Sequence, residues 1–446
     1  MGKLRIRDAI HGDLVFEGEL GELMRALIDT PIFQRLRHVH QNGLTHMVFP
    51  GAEHSRFVHS IGVAGVAQRM LDAIEANSGE TFEQGVREAT VVAALLHDVG
   101  HAPFSHTFEE IVGRDKFDHE KMGVRIIEGD EEGGLRMILE CHRKGMSKGV
   151  ADYIRGSSKS WAKAIVSSQL DADRLDYVRR DATLAGIDNL RPDITRLIEN
   201  LTLYKDPSSG QDKVVVYDKA FDVVESVLLA LDHLYGRVYF HKAVRAATVL
   251  LEALIRRAVE IEGKAFPDKS EVFCRLCSEG GRISLSDYVD ATEATLWCHV
   301  SRWRRESWVD PVLHHLAKCL VGRKFPKTLE LPYDNNLAVV DLHDKAINLV
   351  KEHYGEDWIP YLVKLDDSIR VNYRRFQAGA KMHEKEPIWL YSPSSSSENS
   401  RILAIEDEPR SNVRIGGERI YKGRLYAPKE VIRELRGYAE RKKIKL

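Results

Sequence analysis

Apolar residues at helical spacing constrain the fold of this chain more than any other feature of its sequence. Between residues 59 and 76, apolar side chains recur every three or four positions, which predicts a helix with a broad buried face. A second helix over 88–98 is apolar nearly all round, as expected at the centre of a bundle. Further helices are predicted over 160–183 and over 219–262, the latter kinked near Gly236, and a small hairpin is predicted over 203–216.

The chain is predicted to divide into a larger helical region, 1–330, and a smaller C-terminal α+β lobe, 331–446. The fold class that follows is mainly α. Short strands are expected in the lobe at 401–405 and 420–426, followed by a charged terminal helix. The Ser-rich stretch near 392–400 is interpreted as a mobile linker within the lobe.

Charge and cysteine content exclude several classes of protein. The 446 residues include 65 Lys and Arg and 67 Asp and Glu, which gives a formal net charge of −2. A chain with so little net charge has no overall positive field to attract a polyanion such as DNA. A hydrophobic content of 43% excludes a disordered chain, and five cysteines, an odd count, fit free thiols in a reducing compartment. The longest apolar stretch, 89–96, is far shorter than the ~20 residues that span a bilayer. We therefore expect a cytoplasmic protein with no membrane partner.

Histidines are concentrated between residues 38 and 119, and they give the main chemical signal. His97 and Asp98 stand where the apolar helix ends, and burying an imidazole and a carboxylate there is costly without a partner. A divalent cation removes that cost, because it takes imidazole nitrogen and carboxylate oxygen as ligands. Taken alone, such a pair is more often a hydrogen-bonded helix end than a metal site.

The surrounding residues strengthen the metal interpretation. Asp173, Tyr177 and Asp181 fall at positions i, i+4 and i+8 of a predicted helix, so they share one face. With His59 upstream, two histidines and two aspartates can converge from three helices. Further histidines lie close in sequence: His54, His101, His106 and His119.

The pattern H…HD…D is filled by His59, His97-Asp98 and Asp173, and at these residues the chain resembles the HD-domain phosphohydrolases. Further segments resemble one family among them, the deoxynucleoside triphosphate triphosphohydrolases, which includes dGTPase-like enzymes and the animal dNTPase with a sterile-alpha-motif domain. These segments are 29–37, 48–52, 54–60 and 97–106, the last with the specific string His-Asp-x-Gly-His-x-Pro-Phe-Ser-His. The resemblance covers residues 5–330 and implies an HD-domain helical bundle there.

The resemblance also implies a reaction and a set of roles. The metal ligands are His59, His97, Asp98 and Asp173, and this donor set suits Mn, Mg, Fe or Zn with coordination positions left open. The family hydrolyses nucleoside triphosphates to nucleoside and inorganic triphosphate, by metal-activated water at the α-phosphorus. His106 and His119 are expected to move protons or orient the water, while Arg56, His101 and Arg174 hold the triphosphate charge.

Residues that match sugar-contacting positions of the family are Gln41, Tyr177, Asp181 and Tyr239, with Asp181 as acceptor for a 3′-hydroxyl. Two neighbours depart from the animal enzyme. Asn42 stands where that enzyme has an apolar residue that helps exclude a 2′-hydroxyl, and Phe240 stands where it has a glutamine near the base. Because Asn42 could accept a ribose hydroxyl, ribonucleotides stay open as substrates.

A second nucleotide site follows from the same resemblance. Five residues match positions that recognise an activating guanine nucleotide, GTP or dGTP, between subunits: Asp29, Gln34, Arg37, Arg323 and Lys327. If this site exists, the protein is an allosteric homo-oligomer, a dimer to a tetramer. The simpler alternative is that Asp29 is a helix N-cap before Pro31 and that Arg323 and Lys327 form a solvated basic turn.

Two other functions stay open at this point. One is an HD-type nuclease or phosphodiesterase acting on single-stranded nucleic acid or cyclic nucleotides, which the departures at the sugar and base positions and the basic tail 433–445 favour. The other is a nucleotide-sensing regulator without turnover. Nucleic acid is not favoured as a partner, because a solvated helix face explains the tail more simply.

Overall fold

Helices make up most of the described chain, and the predicted mainly α fold with smaller sheets is confirmed. The computed structural model describes residues 2–187, 190–332, 335–366, 369–370, 386–393, 401–411, 420–421 and 423–446. Within these ranges, no helix is both long and apolar enough to cross a membrane.

The elements up to residue 184 begin with a hairpin and continue as helices. They are β1 (Lys3–Asp8), β2 (Gly12–Glu17), α1 (Gly18–Ile28), α2 (Pro31–Gln34), α3 (Arg56–Ser78), α4 (Gln84–Leu96), α5 (His106–Val112), α6 (His119–Glu128), α7 (Arg136–His142), α8 (Met146–Ile154), α9 (Lys163–Val166) and α10 (Ala172–Leu184).

The elements from residue 194 to residue 321 are again mainly helical. They are α11 (Ile194–Ile198), β3 (Leu201–Lys205), β4 (Asp212–Tyr217), α12 (Phe221–Leu234), α13 (Lys242–Glu260), α14 (Glu262–Ala265), α15 (Val272–Glu279), α16 (Leu285–Tyr288), α17 (Glu293–Arg305) and α18 (Pro311–Val321).

The remaining elements mix short strands with helices. They are β5 (Lys327–Glu330), α19 (Asn336–Tyr354), α20 (Ile359–Leu362), β6 (Lys364–Asp366), β7 (Ile369–Arg370), β8 (Trp389–Ser392), β9 (Arg401–Ala404), β10 (Ile420–Tyr421), β11 (Arg424–Ala427) and α21 (Lys429–Arg441).

Helix α3 lies at the centre of the bundle, packed against α4 and α10. Its apolar residues from Ile61 to Ile74 are buried, and it ends where Gly79 takes a left-handed conformation with φ of 72°. The second predicted helix, α4, is buried on all sides over Thr90–Leu96. Removing so much apolar surface from water holds the three helices that carry the candidate site in fixed positions.

Two predicted helices are interrupted, and both interruptions have a local cause. The helix predicted over 160–183 is two helices, α9 and α10, because the side chain of Asp171 accepts a hydrogen bond from the Arg174 amide and caps α10. The long helix predicted over 219–262 is broken near Gly236, as expected. A π turn over Tyr235–Tyr239 separates α12 from α13 there.

Strands join parts of the chain that are distant in sequence. The hairpin β1–β2 was not predicted, whereas β3–β4 matches the hairpin predicted over 203–216. Strand β8 pairs in parallel with β4 and antiparallel with β9, so the C-terminal region extends the β3–β4 sheet. The predicted strand at 401–405 is therefore β9, and it lies beside the helical region.

The lobe also has a core of its own. Strands β5, β11 and β6 form an antiparallel sheet, and α19 and α21 pack together and cover it. Leu342 and Leu349 of α19 and Leu435 of α21 share one buried core with Leu425 of β11. The predicted boundary at residue 330 stays a prediction. Strand β5 lies just before that boundary, and it pairs with β11 of the lobe. Of the Ser-rich stretch, Ser392 ends β8, and residues 394–400 lie outside the described residues.

Candidate active site

The four side chains predicted as metal ligands come together within the bundle. His59 lies in the first turn of α3, His97 and Asp98 follow α4 directly, and Asp173 lies in the first turn of α10. The His59 Nε2 atom is 3.0 Å from Asp173 Oδ1 and 3.7 Å from Asp98 Oδ2. The His97 Nε2 atom is 3.4 Å from Asp98 Oδ1 and 3.7 Å from Asp173 Oδ1. Three helices thus bring two nitrogens and two carboxylates to one point.

Hydrogen bonds on the far side of each imidazole fix which nitrogen faces that point. The Nδ1–H of His59 donates to Asp176 Oδ2 at 2.7 Å, and the Nδ1–H of His97 donates to the Ala94 carbonyl at 2.8 Å. Both Nε2 atoms are buried and have no hydrogen-bond partner. Since an orphaned buried nitrogen is costly, a cation is the partner that this donor set fits.

The electrostatics of the cluster favour added positive charge. Burial alone would lower the pKa of His59, but the carboxylates of Asp173 and Asp176 beside its ring raise that pKa to about 10. Burial opposes ionisation of Asp98, yet Arg56 and His97 hold the pKa of its carboxyl well below the usual range. A divalent cation can therefore replace the proton that the carboxylates draw onto His59.

Asp176 fixes the orientation of the His59 ring through a buried network of hydrogen bonds. It accepts hydrogen bonds from His59, from His11 Nε2 at 2.6 Å, and from both Nε and Nη2 of Arg180 at 2.8 Å. Arg180 also donates to Asp8 at 3.0 Å, at the turn of the β1–β2 hairpin. These charged groups offset one another, so the network fixes the His59 ring without leaving an unpaired charge.

A second group of histidines lies beside the cluster. The rings of His101 and His119 stack with centroids 4.0 Å apart, and His106 lies edge-on to both. Glu109 joins two of them, through His119 Nδ1 at 2.5 Å and His106 Nδ1 at 3.2 Å. Burial opposes ionisation of Glu109, but these hydrogen bonds hold its pKa below the usual value. Imidazoles oriented by a carboxylate are suited to proton transfer.

Arg56 connects the cluster to the turn that carries the second group. Its Nη1 donates to Asp98, and its Nε donates to Ser105 Oγ at 2.9 Å. Phe104 and Ser105 both have positive φ angles, 60° and 51°, which is strained for residues with side chains. Burial and the nearby Arg56 guanidinium also hold the pKa of His101 well below its usual value, so this imidazole is neutral near pH 7.

A cavity of about 610 Å³ opens above the cluster. The volume is suited to a ligand of nucleotide size. The predicted residues that line it are Gln41, Arg56, His97, Asp98, His101, His106, His119, Asp173, Tyr177, Asp181 and Tyr239. At the wall formed by α10 and the π turn, the Tyr239 hydroxyl donates to Asp181 Oδ2 at 2.5 Å. Asn42 and Phe240, which depart from the family pattern, also line the cavity.

Among the residues predicted as metal ligands, catalytic groups or substrate contacts, two do not line the cavity. His59 is fully buried beneath it, as expected for a ligand. Arg174 points elsewhere: its Nη1 donates to the Gln169 carbonyl at 2.6 Å and to the Gln169 side chain at 3.1 Å. Its predicted contact with the triphosphate would require that side chain to reorient, and the role stays a prediction.

The predicted effector residues lie outside the cavity lining. Gln34 donates to the Ile28 carbonyl at 2.8 Å and accepts from Arg37 Nε at 2.7 Å. Arg323 donates to the Met47 carbonyl at 2.6 Å, and Lys327 is exposed on β5. The alternative role of Asp29 as an N-cap is wrong, because Thr30 occupies the N-cap position of α2.

Sequence reasoning assigned no role to four residues that shape the site. Asp176 and His11 orient His59, Glu109 orients His106 and His119, and His54 Nε2 lies 2.9 Å from Asp181 Oδ1. Glu109 carried a usable signal, because it follows His106 by three positions and so shares a helix face with it. His11 carried none, since only the tertiary fold brings the N-terminal hairpin to α10.

Two histidines and two aspartates at the base of this cavity are a candidate ligand set of the kind that a metal-dependent HD-type hydrolase needs. A model of the HD domain matches residues 56–181, the segment that carries all four predicted ligands. The chain belongs to the HD-domain family.

The chain is also similar to known proteins in sequence, and to a solved structure in fold. The chain is 32% identical over 415 residues to an uncharacterised Bacillus subtilis protein, YwfO, covering 92% of this chain and 89% of that one. It is 31% identical over 292 residues to the human deoxynucleoside triphosphate triphosphohydrolase SAMHD1, covering 58% of this chain but only 45% of that enzyme. The fold matches a crystal structure of a phosphohydrolase from Bacteroides thetaiotaomicron with a TM-score of 0.79 and 22% identity, over 96% of this chain and 100% of that one.

Proposed function

We propose that this protein hydrolyses nucleoside triphosphates, with deoxynucleotides as the leading candidates, to nucleoside and inorganic triphosphate. The observation that carries the proposal is the placement of a cation site and a sugar-binding pair in one cavity. His97, Asp98, Asp173, Asp181 and Tyr239 all line this cavity, with Asp173 and Asp181 about two turns apart on α10. When bound, a divalent cation at this site would lower the pKa of a water molecule and neutralise phosphoryl charge.

The triphosphate would meet a set of hydrogen-bond donors on the cation side. Arg56 is buried and held by Asp98 and Ser105, so its guanidinium is pre-oriented towards the cavity. The neutral His101 imidazole offers a hydrogen bond without a charge of its own. Donors fixed before the reaction stabilise charge that develops on the phosphoryl oxygens.

Proton transfer to the leaving sugar oxygen falls to the second group of histidines. His106 has a side chain that is 59% exposed at the cavity, and His119 stands 20% exposed beside it. Glu109 accepts from both rings, so its carboxylate would stabilise the cationic form of the ring that gives a proton to the leaving oxygen. Glu109 acts here as a positioning residue, because it does not line the cavity.

The sugar would bind at the wall formed by α10 and the π turn. Asp181 is buried and accepts a hydrogen bond from Tyr239 at Oδ2, while its Oδ1 atom makes no hydrogen bond and lies 2.9 Å from His54 Nε2. That oxygen is the acceptor that a 3′-hydroxyl would satisfy. Asn42 lines the same cavity, and its Nδ2 atom is also buried without a partner. We infer that Asn42 tolerates a ribose hydroxyl and broadens the sugar preference.

Regulation by a guanine nucleotide belongs to the same proposal. Asp29, Gln34, Arg37, Arg323 and Lys327 would bind GTP or dGTP between subunits of a homo-oligomer. Hydrolysis of a second nucleotide should then rise on adding GTP, while the protein shifts to a larger species in size-exclusion chromatography. A rate and an elution volume that are both unchanged by GTP and dGTP would contradict the regulatory part and leave hydrolysis untouched.

A product-resolved panel tests the activity itself. The purified chain is incubated with each ribonucleoside and deoxyribonucleoside triphosphate and Mn²⁺ or Mg²⁺, with and without GTP, and the products are separated by ion exchange. We expect nucleoside and tripolyphosphate in equal amounts, and neither with Asp98→Asn. Absence of tripolyphosphate across the whole panel would contradict the proposal.

A second candidate function, an HD nuclease on single-stranded nucleic acid, has one structural feature in its favour. A cavity of about 820 Å³ away from the candidate active site is lined by Arg304, Arg305, Lys318 and Lys324. Such a basic surface is suited to a phosphate backbone. Cleavage of a labelled oligonucleotide that Asp98→Asn abolishes would favour this function, and intact oligonucleotide alongside tripolyphosphate release would exclude it.

A further inference from the structure

A second cluster of metal-ligating side chains begins at His40, the neighbour in sequence of the cavity-lining residue Gln41. His40, His46 and Glu53 each offer one ligand atom, and these atoms lie within 4.8 Å of one another. The side chain of Glu53 is 59% exposed, and those of the two histidines are partly buried. None of the three lines the candidate active-site cavity, and none belongs to the predicted ligand set.

Both imidazoles in this cluster have one nitrogen engaged elsewhere. The Nδ1–H of His40 donates to Glu293 Oε2 at 2.5 Å, and Glu293, the first residue of α17, also accepts from the His40 amide at 3.0 Å. The Nδ1–H of His46 donates to the Gly43 carbonyl at 3.0 Å. A carboxylate or carbonyl behind each ring is the arrangement that orients metal-bound histidines in proteins, because it leaves Nε2 as the donor to the ion.

The third candidate ligand, Glu53, lies beside the Nε2 atom of His40. His40 Nε2 is 3.0 Å from Glu53 Oε2, and the two imidazole rings stack with centroids 4.6 Å apart and planes inclined by 24°. An ion takes its nitrogen and oxygen ligands at about 2.0–2.2 Å, which sets tetrahedral ligand atoms ~3.4 Å apart, so these three atoms need only small adjustments to hold one ion. The exposed Glu53 carboxylate has the freedom to make those adjustments.

We propose that His40, His46 and Glu53 form a second divalent-metal site, distinct from the His59–His97–Asp98–Asp173 cluster. Two imidazoles and one carboxylate favour zinc, cobalt or nickel over magnesium, which prefers oxygen ligands. Solvent would complete the coordination. The buried Glu293 holds the His40 ring in place and is not a ligand, because it already accepts two hydrogen bonds from His40.

The location gives this second site a consequence for the cavity. His40 and Ser55 form an isolated β bridge, the Gln41 amide donates to the His54 carbonyl at 3.0 Å, and the Arg56 amide donates to the Val39 carbonyl at 2.9 Å. An ion held by His40 and Glu53 would clamp the two segments of this ladder together. Gln41 and Arg56, both in the cavity lining, are carried by these same segments, so an ion at the second site would stiffen that wall.

Metal stoichiometry tests the proposal. The full chain is stripped with a chelator, loaded with Co²⁺ and desalted, and bound cobalt is measured by elemental analysis and visible absorption. We expect two equivalents in the unmodified protein, one in His46→Asn and in Glu53→Gln, and one in His97→Asn. His38→Asn, a change at an exposed histidine two residues from His40, serves as the matched control and should keep two.

Thermal unfolding separates loss of the site from loss of the fold. In chelator, His46→Asn and Glu53→Gln should melt at the same temperature as the unmodified protein, and the rise that Zn²⁺ gives in His97→Asn should vanish when either change is added. Wild-type stoichiometry in both His46→Asn and Glu53→Gln would overturn the second site. An unchanged stoichiometry in His97→Asn alone would instead count against the ligand set of the candidate active site.

Discussion

At the scale of single residues, Asp176 decides how His59 faces the candidate cation site. Asp176→Asn would remove the charge that pairs with Arg180 and weaken the hydrogen bond that orients the imidazole. We expect the free energy of unfolding to fall by about 3–5 kcal/mol, as when one partner of a buried ion pair is removed. Metal affinity should also fall by about 10–100-fold. Urea denaturation and calorimetric metal titration measure the two effects.

The matched control for this change is Asp72→Asn. Asp72 also pairs with an arginine, Arg87, but its side chain is 51% exposed, so we expect a loss of less than about 1 kcal/mol. If the two variants lost equal stability and bound metal equally well, Asp176 would have no special role.

Glu109 makes a prediction about pH. Its pKa in the folded protein lies below its ordinary value of 4.5, despite burial, because His106 and His119 donate to it. A carboxyl with a depressed folded pKa adds stability above its unfolded pKa, and that stability is lost as the pH falls towards the folded value. The unmodified protein should therefore be more stable than Glu109→Gln at pH 7, and this difference in the free energy of unfolding should shrink as the pH falls below about 5. Urea unfolding at pH 7 and pH 4 measures the difference. A difference between the two proteins that does not change with pH would contradict this account.

At the scale of elements, α3 and α10 approach so closely that only glycine fits between them. A Cβ atom on Gly62 would lie 2.2 Å from Asp176 Oδ1 and 2.3 Å from Arg180 Nη2. Gly62→Ala gains up to about 1 kcal/mol of helix propensity, but the clash with a fixed buried ion pair should outweigh it by about 1–3 kcal/mol. The control is Gly149→Ala in α8. A Cβ atom there would meet nothing within 4 Å, so this change should stabilise the protein through the higher helix propensity of alanine. Thermal melts that move in the same direction for both variants would contradict the close approach.

The sequence predicts those elements whose signal is local. Helices α3 and α4 follow from apolar spacing, and the break near Gly236 follows from a residue that disfavours a continuous helix. The break before α10 depends on the side chain of Asp171 capping a helix, which periodicity does not reveal. The β1–β2 hairpin was missed because its short strands are fixed by packing on α1 and by Asp8 contacting Arg180.

At the scale of the whole molecule, residues of the C-terminal lobe reach the wall of the candidate active site. Arg245 of α13 lines the cavity and pairs with Asp366 of β6 at 3.1 Å, while Arg424 of β11 donates to the Phe240 carbonyl at 2.7 Å. These contacts join residues more than 120 positions apart. No local pattern encodes them, so the sequence predicts many residues of the cavity lining but not the contacts with the lobe that support it.

A change at this junction should therefore affect both parts of the molecule. Asp366→Ala leaves Arg245 without its carboxylate partner and should lower the free energy of unfolding by about 1–3 kcal/mol. Its effect should also appear as a higher KM for the triphosphate, since Arg245 is then free to move at the cavity. Exposed Asp344→Ala is the control, and both readings should stay at the wild-type value there. A variant at Asp366 that matches this control would show that the junction does not shape the cavity.

The most direct test of the central claim is hydrolysis in water enriched in ¹⁸O, with Mn²⁺ present and a deoxynucleoside triphosphate as substrate. Attack at the α-phosphorus should place the heavy oxygen in the released tripolyphosphate and none in the nucleoside, and Asp98→Asn should release neither product. Release of a nucleoside monophosphate or diphosphate, or equal rates with and without the Asp98 carboxylate, would contradict the account.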